Sequence, residues 1–357
     1  MTKPESSARG PVRSRALLGT CCLIAFAVVA VAQQPKPPVK PGEKPPAEAP
    51  APAAPVRDEL RREVDAIAQA TGAKFTAVVE GKSFDLAGAV TPAQAGPLLD
   101  AAEKALDLFK EWTGATSADL VGLKKCLIVV MPSKKEFQKL GPWYEEMSKI
   151  KGTGGATQNL TYIWWNDPRA MIATFLKPYD VAAVRQVLIH EVGHLVARAY
   201  KYDYNYGPEW FEEGMAAFME AKIAGVTSCY CFKGGYGQAG VPADKLVNLK
   251  WDKWKASVKL EAKTGGKTFR QLVMMRINDF TAAEVGKCWS MIDYLVQKDP
   301  KKFAQWIAAM RRNWPKDKVA EYIPKKGDAQ EQAFKEVYGL DFAGIEAEWS
   351  QFVATKY

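Results

Sequence analysis

The chain has 357 residues, 25% charged and 48% hydrophobic, with a formal net charge of +9. That length supports a large core in one or two domains, and the surplus is only mildly basic. No nucleic-acid-binding motif accompanies the positive charge, which suits contact with anionic envelope polymers or a membrane surface and is otherwise solvated surface.

The N-terminus reads as a targeting segment. Lys3, Arg9, Arg13 and Arg15 form a basic region, Ala16 to Ala32 is a largely apolar run, and Ala30-Val31-Ala32 is a small-residue cleavage signature before Gln33. Residues 1–32 are therefore expected to be a signal peptide, with a short membrane anchor as the alternative. The protein is then exported, to the periplasm, the cell surface or the medium. Four bases and one acid leave with the segment, so the net charge falls to about +6. Cys126, Cys229, Cys231 and Cys288 remain, an even number in a compartment that permits disulfides. Residues 33–56 read as a linker: nine prolines fall between Pro35 and Pro55, and such a tract favours extended polyproline over a packed core.

The folded part begins near Arg57. Asp58 to Ala70 reads as a helix, and Lys74–Glu80 and Ser83–Ala89 as a hairpin turning at Gly81-Lys82. Thr91 to Trp112 is a second helix, with Leu98, Ala102, Ala105, Leu106 and Phe109 on one face. Lys125 to Met131 contains a buried strand, and Ser133 with Glu136 caps a short helix. Glycine-rich backbone from Gly152 then leads into Leu160–Trp165, which alternates like an edge strand. Residues 57–180 are thus expected to form an α/β part, and 181–357 a helical part.

The second part opens on its most informative stretch, His190-Glu191-Val192-Gly193-His194, which holds the only two histidines of the chain. Val184, Leu188, Val192, Leu195 and Ala199 recur at three- and four-residue steps, the signature of a helix. Positions four apart on a helix share a side, with Cβ atoms about 6 Å apart. His190 and His194 can therefore grip one zinc ion, while Glu191 is displaced enough to reach a water beside it. A zinc enzyme needs a third protein ligand. With no histidine left, it must be a carboxylate or a thiolate, and Glu212 and Glu213 both lie close downstream.

Here the sequence resembles a known family. H-E-x-x-H, eighteen residues, then Glu213-Gly214 within Trp210-Phe-Glu-Glu-Gly-Met-Ala216 is similar to the gluzincin metallopeptidases. Among them it looks most like aminopeptidase-N-like domains and the compact peptidase-MA-like domains of exported bacterial proteins. The resemblance implies an α+β fold: a small mixed β-sheet, then a mainly helical half, with the zinc site in the cleft between them. It implies one Zn2+ per chain held by His190, His194 and Glu213, with Glu191 as general base. It favours Glu213 over Glu212, because the family's ligand directly precedes the glycine. Glu220, seven residues beyond Glu213, would accept a hydrogen bond from a ligand histidine.

Two departures from the family pattern accompany this. Gly155-Ala-Thr-Gln-Asn159 stands where related aminopeptidases carry G-A-M-E-N. Gln158 then replaces the glutamate that pairs with a substrate's free amino terminus, which points to an endopeptidase before an aminopeptidase. The region Phe280–Val285 lacks the tyrosine that the family uses on the oxyanion; Tyr206, Tyr230, Tyr236 and Tyr294 are the alternatives. The tyrosines at 200, 202, 204 and 206 read as loop aromatics, and residues 227–257 as a loop or insertion. From Thr268 onward the chain reads as helical, with core stripes such as Phe303, Trp306, Ile307 and Met310. The expected function is hydrolysis of a peptide or protein substrate. The rival from another class is a non-catalytic envelope binding protein on the same scaffold. An oxygen-activating iron site would leave the Glu after the first histidine without a role.

Overall fold

A five-stranded mixed sheet and the helix that crosses it position everything that follows. The computed structural model describes residues 56–120, 123, 125–148, 161–164, 169–177, 180–200, 208–227, 249–312 and 322–357. The expected signal peptide, nearly all of the linker and Gly155–Asn159 lie outside the described residues. Ala54–Tyr357 forms one compact unit. The architecture is mixed α and β, and mostly helical.

The chain opens with α1 (Asp58–Thr71), then β1 (Ala77–Glu80), β2 (Phe84–Gly88) and α2 (Pro92–Thr113). β3 (Cys126–Ser133), α3 (Lys134–Ser148), β4 (Thr161–Trp164) and β5 (Met171–Lys177) complete the sheet region. The strand order is β1-β2-β3-β5-β4, with β2, β3 and β5 parallel and the outer strands antiparallel to their neighbours. Strands at the middle of such a sheet are covered on both faces and need apolar residues throughout. β3 meets that demand. Cys126, Ile128 and Val130 join one hydrophobic cluster, with α2 and the later helices, while Leu127, Val129 and Met131 join a second, with α1 and α3.

β5 has no counterpart among the sequence expectations, although Met171-Ile-Ala-Thr-Phe-Leu176 is a short apolar run. It lies between β3 and β4 and makes β4 the edge strand. The two hairpin strands are shorter than expected and pair from Ala77 opposite Gly88 to Glu80 opposite Asp85. α2 starts where predicted, on a capping box between Thr91 and Gln94. Within β2, Asp85 is fully buried. Arg57 Nη2 at 2.7 Å, Lys125 Nζ at 2.8 Å and Arg169 Nη1 at 2.8 Å compensate its charge. A buried carboxylate needs such partners, and Arg57 thereby fixes the start of the folded unit to the sheet.

α4 (Val181–Ala199) is buried almost all round from Val187 to Ala197. A helix of that kind belongs at the centre of a protein, and α4 packs on α2, α5, β4 and β5. α5 (Glu209–Ala224) follows and is buried from Trp210 to Ala221. Gly225 at φ 70° ends it in the left-handed conformation that glycine adopts without steric cost. Strands β6 (Val226–Thr227) and β7 (Leu249–Lys250) then pair antiparallel.

The later helices are α6 (Trp251–Thr264), α7 (Phe269–Leu272), α8 (Ala282–Lys298), α9 (Pro300–Arg312), α10 (Tyr322–Tyr338) and α11 (Phe342–Lys356). α6 corrects the expectation of a loop through residue 257. Its lysine-rich sequence hides an apolar face that includes Trp254 and Val258, both buried, with Ala262 packed against the same cluster. Trp254 and Val258 pack where Gly286 of α8 lacks a side chain, since a Cβ there would sit 2.8 Å from the Trp254 ring. The stripe of Phe303, Trp306, Ile307 and Met310 is core, as its spacing implied. The larger hydrophobic cluster contains Ile128 and Ile172 of the sheet with Met215, Trp289 and Trp306 of the helices, so the core runs across residue 180.

Candidate metal centre

α4 presents His190 and His194 one turn apart, and α5 brings Glu213 against them. His190 Nε2 and His194 Nε2 are 3.1 Å apart. Glu213 Oε1 lies 3.7 Å from the first and Oε2 lies 3.4 Å from the second. Two ligands each about 2.0–2.1 Å from a tetrahedral metal stand roughly 3.3 Å apart, and the three measured separations bracket that value. The three ligand atoms fall within 4.8 Å of one another and all three residues are buried. This group could therefore hold a metal ion. Two neutral nitrogens and a carboxylate are the donor set of borderline divalent ions.

Close helix packing makes the convergence geometrically feasible. A Cβ on Gly193 would lie 2.5 Å from Ala216 Cα, so α4 and α5 touch backbone to backbone between the two histidines. A Cβ on Gly214 would lie 2.6 Å from the Cys288 carbonyl oxygen, so α5 is pressed equally close to α8. Gly193, beside His194, lets the carboxylate helix sit near enough for Glu213 to reach both histidines.

Glu220 takes the position expected of it. It lies two turns beyond Glu213, fully buried, and its Oε2 is 3.1 Å from His190 Nδ1. If Nδ1 carries the proton, Nε2 keeps its lone pair for a metal, which is how such carboxylates orient ligand histidines. Thr227 Oγ1 donates to the same Glu220 Oε2 at 2.9 Å, a contact that no local sequence pattern reveals.

Glu212 is not part of the converging group and faces another partner. Arg198 Nε donates to its Oε2 at 2.7 Å, one turn beyond His194 on α4. Glu191 is 5% exposed and His194 6%, whereas His190 and Glu213 are fully buried, so the slight opening to solvent lies on the Glu191–His194 side. Burial raises the pKa of the Glu191 carboxyl, with His194 and His190 opposing. Burial lowers that of His190, but Glu213, Glu220 and Glu191 outweigh it and lift the imidazole to about 9. Three carboxylates around one buried imidazole form a strongly anionic pocket, which suits a dication.

The remaining expectations divide. Tyr294 is taken out of the running for the oxyanion. Its hydroxyl donates to Glu348 Oε2 of α11 at 2.6 Å, Lys298 Nζ stands 3.1 Å away, and burial raises its pKa. Tyr200 is buried against Phe109, ring centroids 5.3 Å apart, and is a core residue. Gln158, Tyr202, Tyr204, Tyr206, Tyr230, Tyr236, Cys229 and Cys231 lie outside the described residues. Cys126 and Cys288 are buried free thiols, and desolvation pushes Cys126 up to about 12. Neither is near thiolate reactivity.

Comparison with protein-family models and with curated proteins finds no match. The functional reading therefore rests on this chain's own residues.

Proposed function

We propose that the protein is an exported zinc-dependent peptidase of gluzincin type. The observation that supports this best is the convergence of His190, His194 and Glu213 at metal-ligand separations, with Glu191 adjacent on the same helix. Zinc in such a site supplies a Lewis acid that polarises a carbonyl and makes water nucleophilic near neutral pH. His190 and His194 would hold it through Nε2, and Glu213 through its carboxylate. Glu191, bound to neither histidine, takes a proton from the attacking water and passes it to the leaving amine. Its burial favours carrying that proton between the two steps. The edge strand β4 can take an extended peptide by strand addition. An uncharged Gln158 offers no ion pair to a free amino terminus, so an endopeptidase is preferred to an aminopeptidase.

The second reading is a non-catalytic envelope binding protein on this scaffold. Its support is the engagement of Tyr294 by Glu348 and the lack of a tyrosine in Phe280–Val285. Glu191→Gln separates the two. The substitution keeps size and lies outside the ligand set, so zinc content and fold should persist. On the peptidase reading, cleavage of a peptide library falls about 10²–10⁴-fold. Wild-type protein that holds zinc and cuts nothing would favour the binding reading. Strict dependence on a free amino terminus would overturn the endopeptidase preference.

A further inference from the structure

We propose that Thr227 is a positioning residue for the metal centre, acting through Glu220, and that it couples the metal to the β6–β7 ribbon. The inference rests on the metal reading above. Glu220 Oε2 is the common acceptor for His190 Nδ1 at 3.1 Å and Thr227 Oγ1 at 2.9 Å. A carboxylate oxygen has two lone pairs and can accept both. The Thr227 hydroxyl thus helps fix the direction from which His190 is held.

The route from sequence to this contact is short. Glu213 and Glu220 share a face of α5, Gly225 turns the chain back at φ 70°, and Thr227 arrives 1% exposed beside Glu220. Threonine is stiff about χ1 and suits a strand, so its hydroxyl is aimed before any metal binds. The backbone of the same residue pairs with Leu249, and Val226 with Lys250. One residue thus belongs to the ribbon through its main chain and to the His190 support through its side chain. Coupling of this kind is reciprocal: what the ribbon contributes to metal affinity, the metal returns to the ribbon.

The test is zinc affinity, measured by competition with a chromophoric chelator, and not activity. Thr227→Val keeps the shape and removes the hydroxyl. It should weaken zinc about tenfold, the lower end for residues that support a ligand histidine. Thr227→Ser keeps the hydroxyl and should stay within about threefold of wild type. In a Glu220→Ala background Thr227→Val should change zinc affinity no further, because the proposal routes the hydroxyl's effect on the metal through that carboxylate. Equal loss in both backgrounds would mean a general packing effect and would overturn the inference. Amide hydrogen exchange of the wild-type protein at Val226–Thr227 and Leu249–Lys250 provides a measure that needs no variant. Zinc should slow it, and unchanged exchange would overturn the coupling. Wild type that binds zinc alongside an equally tight Thr227→Val would sink the inference alone. Wild type that binds no zinc would sink the metal reading with it.

Discussion

The Glu212 carboxylate accepts a hydrogen bond from Arg198 Nε at 2.7 Å, while its neighbour Glu213 sits 3.4 Å from His194 Nε2. Adjacent helical residues point about 100° apart, so only one of the two can face the histidines. Glu213→Ala should therefore abolish stoichiometric zinc binding, measured by metal analysis after dialysis. Glu212→Ala should keep the zinc and lower the melting temperature, because it removes the ion pair that a nearly buried carboxylate makes with Arg198. The opposite pattern would reassign the ligand.

Gly214 bears on the centre through packing rather than chemistry. Ala at this position would bring Cβ to 2.6 Å from the Cys288 carbonyl oxygen and 2.9 Å from Ile292 Cγ1. Backbone cannot yield as a flexible side chain does, so Gly214→Ala should cost about 1–3 kcal/mol and weaken zinc by shifting α5. Gly96, in α2, has nothing within 4 Å of an added Cβ. Gly96→Ala should lack that clash, and any cost should come from Pro97, which disfavours helical backbone for a preceding residue that carries a Cβ. Chemical denaturation of the two variants provides the comparison.

Glu261 of α6 makes stability depend on pH. Burial raises its carboxyl from 4.5 to about 7; Lys287 and Lys267 oppose this, and Glu284 and Glu346 add to it. The folded state then holds the proton more tightly than the unfolded chain, so this contribution is complete below about pH 4.5 and lost as pH rises through 7. Glu261→Gln should match wild type near pH 4.5 and melt higher at pH 8. The difference should be small, since the carboxyl is partly exposed and screened. A constant offset between the two proteins across that range would refute the assignment.

Export can be read from the mature N-terminus. The basic segment followed by Ala30-Val31-Ala32 predicts a chain beginning at Gln33. Mass spectrometry of the envelope fraction should find that terminus; retention of residues 1–32 would indicate an anchor.

The two histidines, the glutamate beside them and the helix that carries Glu213 were legible because each is local. His190, Glu191 and His194 fall within five residues, and helical periodicity alone puts the histidines on one side. Glu220 was legible for the same reason, two turns from Glu213 on one helix. The strand at Cys126–Met131 and the start of the helix after Thr91 also announce themselves in a few consecutive residues. What tertiary structure decided are the relationships between elements. Arg198 claims Glu212 across two helices, Glu348 claims Tyr294 from 54 residues away, and Gly214 matters only because α8 is there. β5 is a central strand only because β3 and β4 pair with it, and α6 is a helix whose narrow apolar face is built around Trp254 and Val258. Thr227 reaches Glu220 because Gly225 reverses the chain. A one-dimensional pattern records which faces are apolar and which side chains share a helix turn. It does not record which distant partner satisfies a buried polar group, because that depends on how the elements pack and not on their spacing in the chain.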